Sequence, residues 1–268
     1  MAPVILRKGD NGQAVLELKA ALVKVSDKPL PAEFLTPDFD AQTEQLVMDF
    51  QRRTGLVMDG IVGAKTWQVL QSGSKSAAVL GYKDLEKAAA SLNVPLACIR
   101  AVNEVESRGN GFFDNGMPVI LFERHVFYAR LKRQGKDVKK LKVLYPDIVN
   151  EDAGGYHGGP AEWDRLQQAI RIDRQCALES ASWGLFQIMG YHWKELKYAS
   201  ADDFAACMSR SEALQLDAFV RFLKANQAMI RALQAINFTD FARSYNGVGY
   251  VKNQYDLKMA KAFAKYNK

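Results

Sequence analysis

Residues 71–80 read QSGSKSAAVL, a run that starts small and polar and sits between two stretches of strong apolar patterning. A segment rich in Ser and Gly buries little apolar surface and reads as a linker. The chain therefore has to build two cores rather than one. The expected division is residues 1–72, a linker over 73–81, and residues 82–268. Few stretches in either part alternate as strands do, while apolar residues recur at helical spacing. The predicted fold is mainly α, a small three-helix bundle joined by the linker to a larger helical domain.

Charge follows the same division. The 268 residues carry a formal net charge of +6. Residues 1–72 hold eight basic and nine acidic side chains, so the net of +7 lies in residues 73–268. Basicity of this kind points to a polyanionic partner without naming it. With 48% hydrophobic residues, wholesale disorder is excluded. No run approaches the ~18 apolar residues of a membrane span, so stable membrane insertion is not expected. The start, MAPVILRKGD, lacks both a basic leader and a long apolar stretch and does not read as a signal peptide. Cys98, Cys176 and Cys207 show no CxxC spacing and read as reduced thiols. His125, His157 and His192 are far apart, so no metal is expected.

In the first segment, Val15, Leu16, Leu18 and Leu22 mark a helix after Asp10-Asn11-Gly12. Leu46, Val47 and Phe50 mark a second, opened by Asp38 or Asp40 as cap and ended by Gly55. Asp59-Gly60 and Gly63 form a turn, and Thr66 to Leu70 begins a third. The body FDAQTEQLVMDFQRRTGLVMDGIVGAKTWQVL, with RKGDNGQAVLELKAAL before it, resembles the three-helix peptidoglycan-binding domain. That resemblance implies binding to the wall's glycan–peptide mesh. The residues themselves read first as core and turn: Asp59, Gly60 and Gly63 suit a turn better than a ligand site.

In the second segment helices are predicted over 84–92, from Pro95, from Phe238 to Tyr245 and from Tyr255 to Tyr266. A capping box, Ser209-x-x-Glu212, should open a long run to about Leu233. A glycine-rich loop, NEDAGGYHGGP, occupies 150–160. On the helix from Pro95, at about 100° per residue, Glu106 falls inside the apolar arc of Leu96, Ile99, Val102 and Val105. Glu104 falls on the opposite face near Arg100. A carboxyl on an apolar face, at the negative end of a helix dipole, holds its proton to higher pH. That is what a general acid for glycosidic cleavage needs, although a Glu at a frayed helix end that simply turns to water fits the same periodicity. Ser107-Arg108-Gly109 would end the helix and open a cleft beside it.

Three short motifs follow in order: AVNEVESRGNGF with Glu106, GLFQIM over 184–189, and SYNG over 244–247. Together they resemble the goose-type lysozyme and lytic transglycosylase group of the lysozyme-like superfamily. EVESRGNGF, ILFERHVF, SASWGLFQIMG and ARSYNG resemble more closely the N-acetylmuramidase domain of phage endolysins, over residues 82–268. The resemblance implies a lysozyme-like helical domain that hydrolyses the β-1,4 bond between N-acetylmuramic acid and N-acetylglucosamine, without cofactor or metal. It implies Glu106 as acid, with Gln187 and the Gly184 backbone lining the cleft and Tyr245 hydrogen-bonding near the acid. Asn246 joins the substrate-binding set, although its position also suits a cap or turn.

An inverting hydrolase needs a second carboxylate roughly 6.5–9.5 Å away to activate water. The candidates are Glu123, Asp114 and Glu179. Glu123, directly after the apolar run Pro118 to Phe122, is the choice, although a Glu held by Arg124 or His125 fits the same pattern. Two rival readings are a lytic transglycosylase, which needs no base, and a non-catalytic wall-binding virion protein. A nucleic-acid binder is not expected, because clustered Arg with aromatic readout is missing. The expected partner is peptidoglycan, met by a monomer made in the host cytoplasm and acting in the periplasm after membrane permeabilisation. Lys252, Lys258, Lys261, Lys265 and Lys268 are expected to form the face drawn to an anionic surface.

Overall fold

A computed structural model describes residues 4–26, 29–73, 76, 78–107 and 110–267, apart from the side chain of Val248. The chain divides into two compact units, Met1–Lys87 and Ala88–Lys268.

The first unit contains α1 (Gln13–Val25), α2 (Ala41–Thr54) and α3 (Ala64–Ser72). Asp40 caps α2, accepting from the Thr43 N–H at 2.8 Å. Gly55 ends it in the left-handed conformation at φ 74°, which a side chain would resist. Val15, Leu18, Leu22, Phe39, Val47, Phe50 and Val69 fill the core between the helices. Leu6 bridges to Val62, closing the N-terminal strand over them. Among the described residues, Lys19, Thr43, Gln51 and Thr66 are the buried polar side chains of this unit. Gln51 sits under the Asp59-Gly60 turn: its Nε2 donates to Asp59 Oδ1 (2.8 Å), Ile61 O (2.9 Å) and Thr66 Oγ1 (3.3 Å). Its Oε1 accepts from the N–H groups of Asp59 and Gly60. Asp59 and Gly60 therefore work as turn-formers. Lys19 donates from Nζ to Thr36 Oγ1 at 2.8 Å and lies over the Phe34 ring, pinning the 29–40 connection to α1. Of the expected linker, residues 74, 75 and 77 lie outside the described residues. Leu80 is buried and Gly81 bridges to Leu56, both within the first unit.

The chain continues through α4 (Tyr82–Leu92), which begins in the first unit and ends in the second, then α5 (Leu96–Glu106), β1 (Ile120–Phe122), α6 (Arg124–Arg133), α7 (Val138–Leu144), α8 (Ala161–Ile172) and α9 (Arg174–Glu179). Then come β2 (Ala181–Trp183), β3 (Ile188–Met189), α10 (Ala201–Met208), α11 (Glu212–Ala225), α12 (Gln227–Gln234), α13 (Phe238–Asn246), α14 (Tyr250–Asn253) and α15 (Tyr255–Tyr266). Helix α5 packs along α15, and α13 packs on both α12 and α15. Cys98, Cys176 and Cys207 are free thiols.

Three features differ from expectation. The cap of α11 is Ser211, whose side chain accepts from the Leu214 N–H; Ser209 instead donates to the Ala205 carbonyl, and Glu212 accepts from the Gly111 N–H. The run to Leu233 is two helices, because Asn226 leaves helical geometry and accepts from the N–H groups of Ala228 and Met229. A three-stranded antiparallel sheet, order β1-β2-β3, stands where only an apolar stretch was anticipated.

The sheet has two faces, by pleat alternation. Ile120, Phe122, Ala181, Trp183 and Ile188 point to one side and are buried. Leu121, Ser182 and Met189 are paired across the three strands on the other. A buried ion pair anchors the end of β1: Arg165 Nη1 lies 2.7 Å from Glu162 Oε2 and donates to the Phe122 carbonyl. Glu162 also accepts from the N–H groups of Phe122, His157 and Gly158. Burial pushes its pKa up, but those N–H groups and Arg165 outweigh it and hold the carboxyl below its ordinary value. The pair thereby ties the glycine-rich loop to the sheet edge.

Gln215 on α11 makes a second tie. It accepts from the Leu185 N–H at 2.7 Å and donates to the carbonyls of Met208 and Gly111. A Cβ on Gly184 would lie 2.4 Å from its Cδ, and one on Gly111 would lie 2.1 Å from its Oε1. Glycine is required at both positions.

Candidate functional site

A cavity of about 470 Å³ opens at the C-terminal end of α5. Val105, Glu106 and Ser107 form one wall, and Phe186 to Met189, the turn into β3, form the floor. His192, Phe222 of α11, Tyr245 and Asn246 of α13, Gly249, Asn253 and Tyr255 complete it. Arg108 and Gly109, expected to open the cleft, lie outside the described residues. Ser107 ends α5 in an extended conformation.

Glu106 behaves as its place in the helix period predicts. Desolvation raises its pKa from 4.5 to about 7. One partner is seen: Asn246 Nδ2 donates to Glu106 Oε1 at 3.1 Å, across 140 positions of sequence. The Asn246 Oδ1 is buried and has no hydrogen-bond partner among the described residues. Asn246 thus touches the acid directly, beyond the cap or turn its position suited. Glu104, on the opposite face, is held by the Tyr266 hydroxyl and by Lys265 Nζ at 3.5 Å.

Gln187 lines the cavity in a left-handed backbone conformation, φ 51°, a strain of roughly 1–3 kcal/mol for a residue with a side chain. Its amide is committed to the fold: Nε2 donates to the Gly184 carbonyl at 2.8 Å and Oε1 accepts from Ser182 Oγ at 2.9 Å. Tyr245 lines the cavity too, but its hydroxyl donates to the Phe186 carbonyl at 3.3 Å. Its ring stacks on Phe241 and meets Phe219 and Phe222 edge-on. Gly184 is not among the lining residues; its N–H donates to the Val119 carbonyl and it gives Gln215 room.

The second carboxylate stands elsewhere. Glu123 precedes α6 and accepts from the Tyr156 hydroxyl at 2.9 Å, with His125 Nδ1 at 3.4 Å. It does not line the cavity with Glu106. It does continue β1, its N–H donating to the Ser180 carbonyl, so it shares the pleat face of Leu121, Ser182 and Met189. Met189 is part of the cavity floor, two strands away. Tyr156 is a firm donor, because burial and the Glu123 carboxylate hold its hydroxyl above its ordinary pKa. Asp114 is exposed. Glu179 is buried and paired with Arg130, and it also accepts from Trp193 Nε1 and Gln175 Nε2. Of the three candidates, Glu179 is bound up in structure.

Sequence reasoning did not find His192. It follows the GLFQIM motif by three residues, lines the cavity, and has its Nδ1 2.7 Å from Glu195 Oε2. Phe222 packs edge-on against its ring and Tyr191 packs at a tilt. No motif spacing announces it, because Phe222 and Glu106 reach it only through the tertiary fold. Chemically the cavity can offer a protonated carboxyl, an imidazole steered by a carboxylate, and aromatic walls suited to sugar rings.

Comparison with known proteins agrees with these features. The family model described as N-acetylmuramidase matches residues 95–267, and a putative peptidoglycan binding domain matches residues 11–70. Among solved structures, a Burkholderia AP3 phage endolysin is 45% identical, with a TM-score of 0.93 over 98% of this chain and 99% of that one. Among curated proteins, the N-acetylmuramoyl-L-alanine amidase CwlM of Mycobacterium tuberculosis is 41% identical over 76 residues, 26% of this chain. The matched region spans 19% of that relative's length.

Proposed function

We propose, for a chain that belongs to the N-acetylmuramidase family, that it is a phage endolysin cleaving the β-1,4 bond between N-acetylmuramic acid and N-acetylglucosamine. Residues 1–72 hold the peptidoglycan, residues 73–81 link, and residues 82–268 cut. The observation that carries this reading is Glu106, a carboxyl kept protonated to about pH 7 by burial at the wall of a sugar-sized cavity.

Glu106 gives its proton to the glycosidic oxygen as the C1–O bond breaks, and charge develops on the sugar ring. A water attacks C1 from the opposite face and loses its proton to Glu123, whose carboxylate the Tyr156 hydroxyl steadies. The support for Glu123 is its place on the sheet face that leads to Met189. Gln187 holds the cavity floor in shape, and Tyr245 and Phe222 supply an apolar wall for a sugar ring. Asn246 orients the Glu106 carboxyl and, with the Gly184–Gln187 turn, frames the substrate. The protein acts as a monomer, without nucleic acid. It is made in the host cytoplasm and reaches periplasmic peptidoglycan once the membrane is permeabilised.

The test is the mass of the soluble muropeptides released from purified wall. Reducing N-acetylmuramic acid ends are expected, and Glu106→Gln should release none. Glu123→Gln should cut the rate by about 10²-fold or more, the usual share of a general base. One observation favours a second reading, lytic transglycosylation: among the described residues lining the cavity, Glu106 is the one carboxylate. On that reading the products carry 1,6-anhydromuramyl ends and Glu123→Gln keeps near-full rate.

A further inference from the structure

The net charge of this protein is concentrated in a place its motifs do not touch. Residues 130–145, RLKRQGKDVKKLKVLY, hold seven basic side chains against one acidic, a net of +6 equal to that of the whole chain. Three of the seven are paired: Arg130 with Glu179, Lys136 with Asp173 and Lys142 with Glu151. Lys132, Arg133, Lys139 and Lys140 are exposed and have no partner among the described residues. The C-terminal lysines are more dispersed: Lys265 is held by Glu104 and Lys258 lies over the Tyr255 ring, Lys252 and Lys261 are exposed and nine positions apart, and Lys268 lies outside the described residues.

Helix α7 is built the wrong way round for a helix that only packs inward. At about 100° per residue, Val138 and Leu141 share its inner side and Lys139, Lys140, Val143 and Leu144 its outer side. Val138 is buried, whereas Val143 is 82% and Leu144 57% exposed, followed by Tyr145 at 40%. Two cations and two aliphatic side chains thus share one face, with a tyrosine at its end and Lys132 and Arg133 closing the preceding helix.

The geometry points to a peripheral docking surface for an anionic phospholipid layer. Four unneutralised cations match the lipid phosphates. Val143 and Leu144 gain nothing against a hydrated glycan or a nucleic-acid backbone, but they gain by entering the acyl boundary. Tyrosine suits the headgroup level, with an apolar ring and a polar tip. Among the described residues no helix is long and apolar enough to cross a membrane, so the contact is one of lying on the surface.

The test is co-sedimentation of the full chain with vesicles, a readout that does not depend on wall cleavage. Wild type should bind phosphatidylethanolamine–phosphatidylglycerol vesicles at low salt and leave phosphatidylcholine vesicles in solution. Each cation near such a surface strengthens binding about fivefold. K139Q/K140Q should therefore weaken it roughly 25-fold, with K132Q/R133Q as an independent pair. V143S/L144S should weaken it several-fold, and all three variants should digest purified wall at the wild-type rate. Equal binding to both vesicle types, or to neither, overturns the proposal. So does V143S/L144S binding like wild type, which would leave a plain polycation, or retention on duplex DNA in place of vesicles.

Discussion

Gln51 in the first unit and Glu106 in the second are both polar side chains on helix faces turned inward, and the fold treats them oppositely. Gln51 makes five hydrogen bonds and converts a loop into a fixed turn. Glu106 is seen with one, from Asn246, and keeps a proton instead. A satisfied buried group stabilises, while a poorly satisfied one stores reactivity at a cost in stability. The difference separates a unit whose polar interior is scaffolding from one whose polar interior does chemistry.

The contrast is open to direct attack. Glu106→Gln should lower turnover by about 10³-fold or more while leaving wall binding intact. The same variant should be more stable than wild type at alkaline pH. The Glu106 pKa is raised in the folded state, so its contribution is most favourable below about pH 4.5 and is lost as pH climbs through about 7. Above that, burying the charge costs up to roughly 3 kcal/mol, at about 1.4 kcal/mol per unit, and Gln removes it. Equal melting of variant and wild type at pH 8 would break the comparison. Gln51→Ala should do the reverse. It should cost about 2–4 kcal/mol in the first unit, read by denaturant melting, because the turn amides and the Thr66 hydroxyl lose their partner. Its turnover on soluble glycan fragments should be unchanged. Next in size is the pH profile: turnover should fall about tenfold per unit above pH 7, as Glu106 ionises. The smallest effect belongs to Asn246→Ala. Its Nδ2 donates to the ionised form as well as the neutral one, so its loss should move that alkaline limb upward by less than about one unit. A downward shift would show that Asn246 steadies the acid form.

Much of this was readable in the chain. Local rules govern the first unit: Asp40 as cap, Gly55 as stop and the Asp59-Gly60 turn each declare themselves within a few residues. Glu106 was legible for the same reason, because a step of two residues, about 200° around the helix, sets it on the face opposite Glu104. The second unit hid what it assembles at long range. β1 and β2 are three residues each and β3 is two, too short for alternation to register. Asn246 meets Glu106 across 140 positions, and His192 meets Phe222 across the fold. The misplaced cap of α11 had a simpler cause. Ser209 and Ser211 both precede Glu212, and spacing favoured the one whose hydroxyl turns back into α10.

The space filled by Gln215 binds three distant positions into one inheritance. Gly111 and Gly184 stay bare because that side chain occupies the room a Cβ would need. Drift at any of the three should therefore be correlated. A lineage that shortens residue 215 removes one obstacle at each glycine, while Gly111 still faces Glu212 Cγ at 2.8 Å and Gly184 keeps its φ of +69°, so a change at either glycine should be found only where residue 215 has already shrunk. A set of diverged relatives would carry that order of events as a covarying triplet.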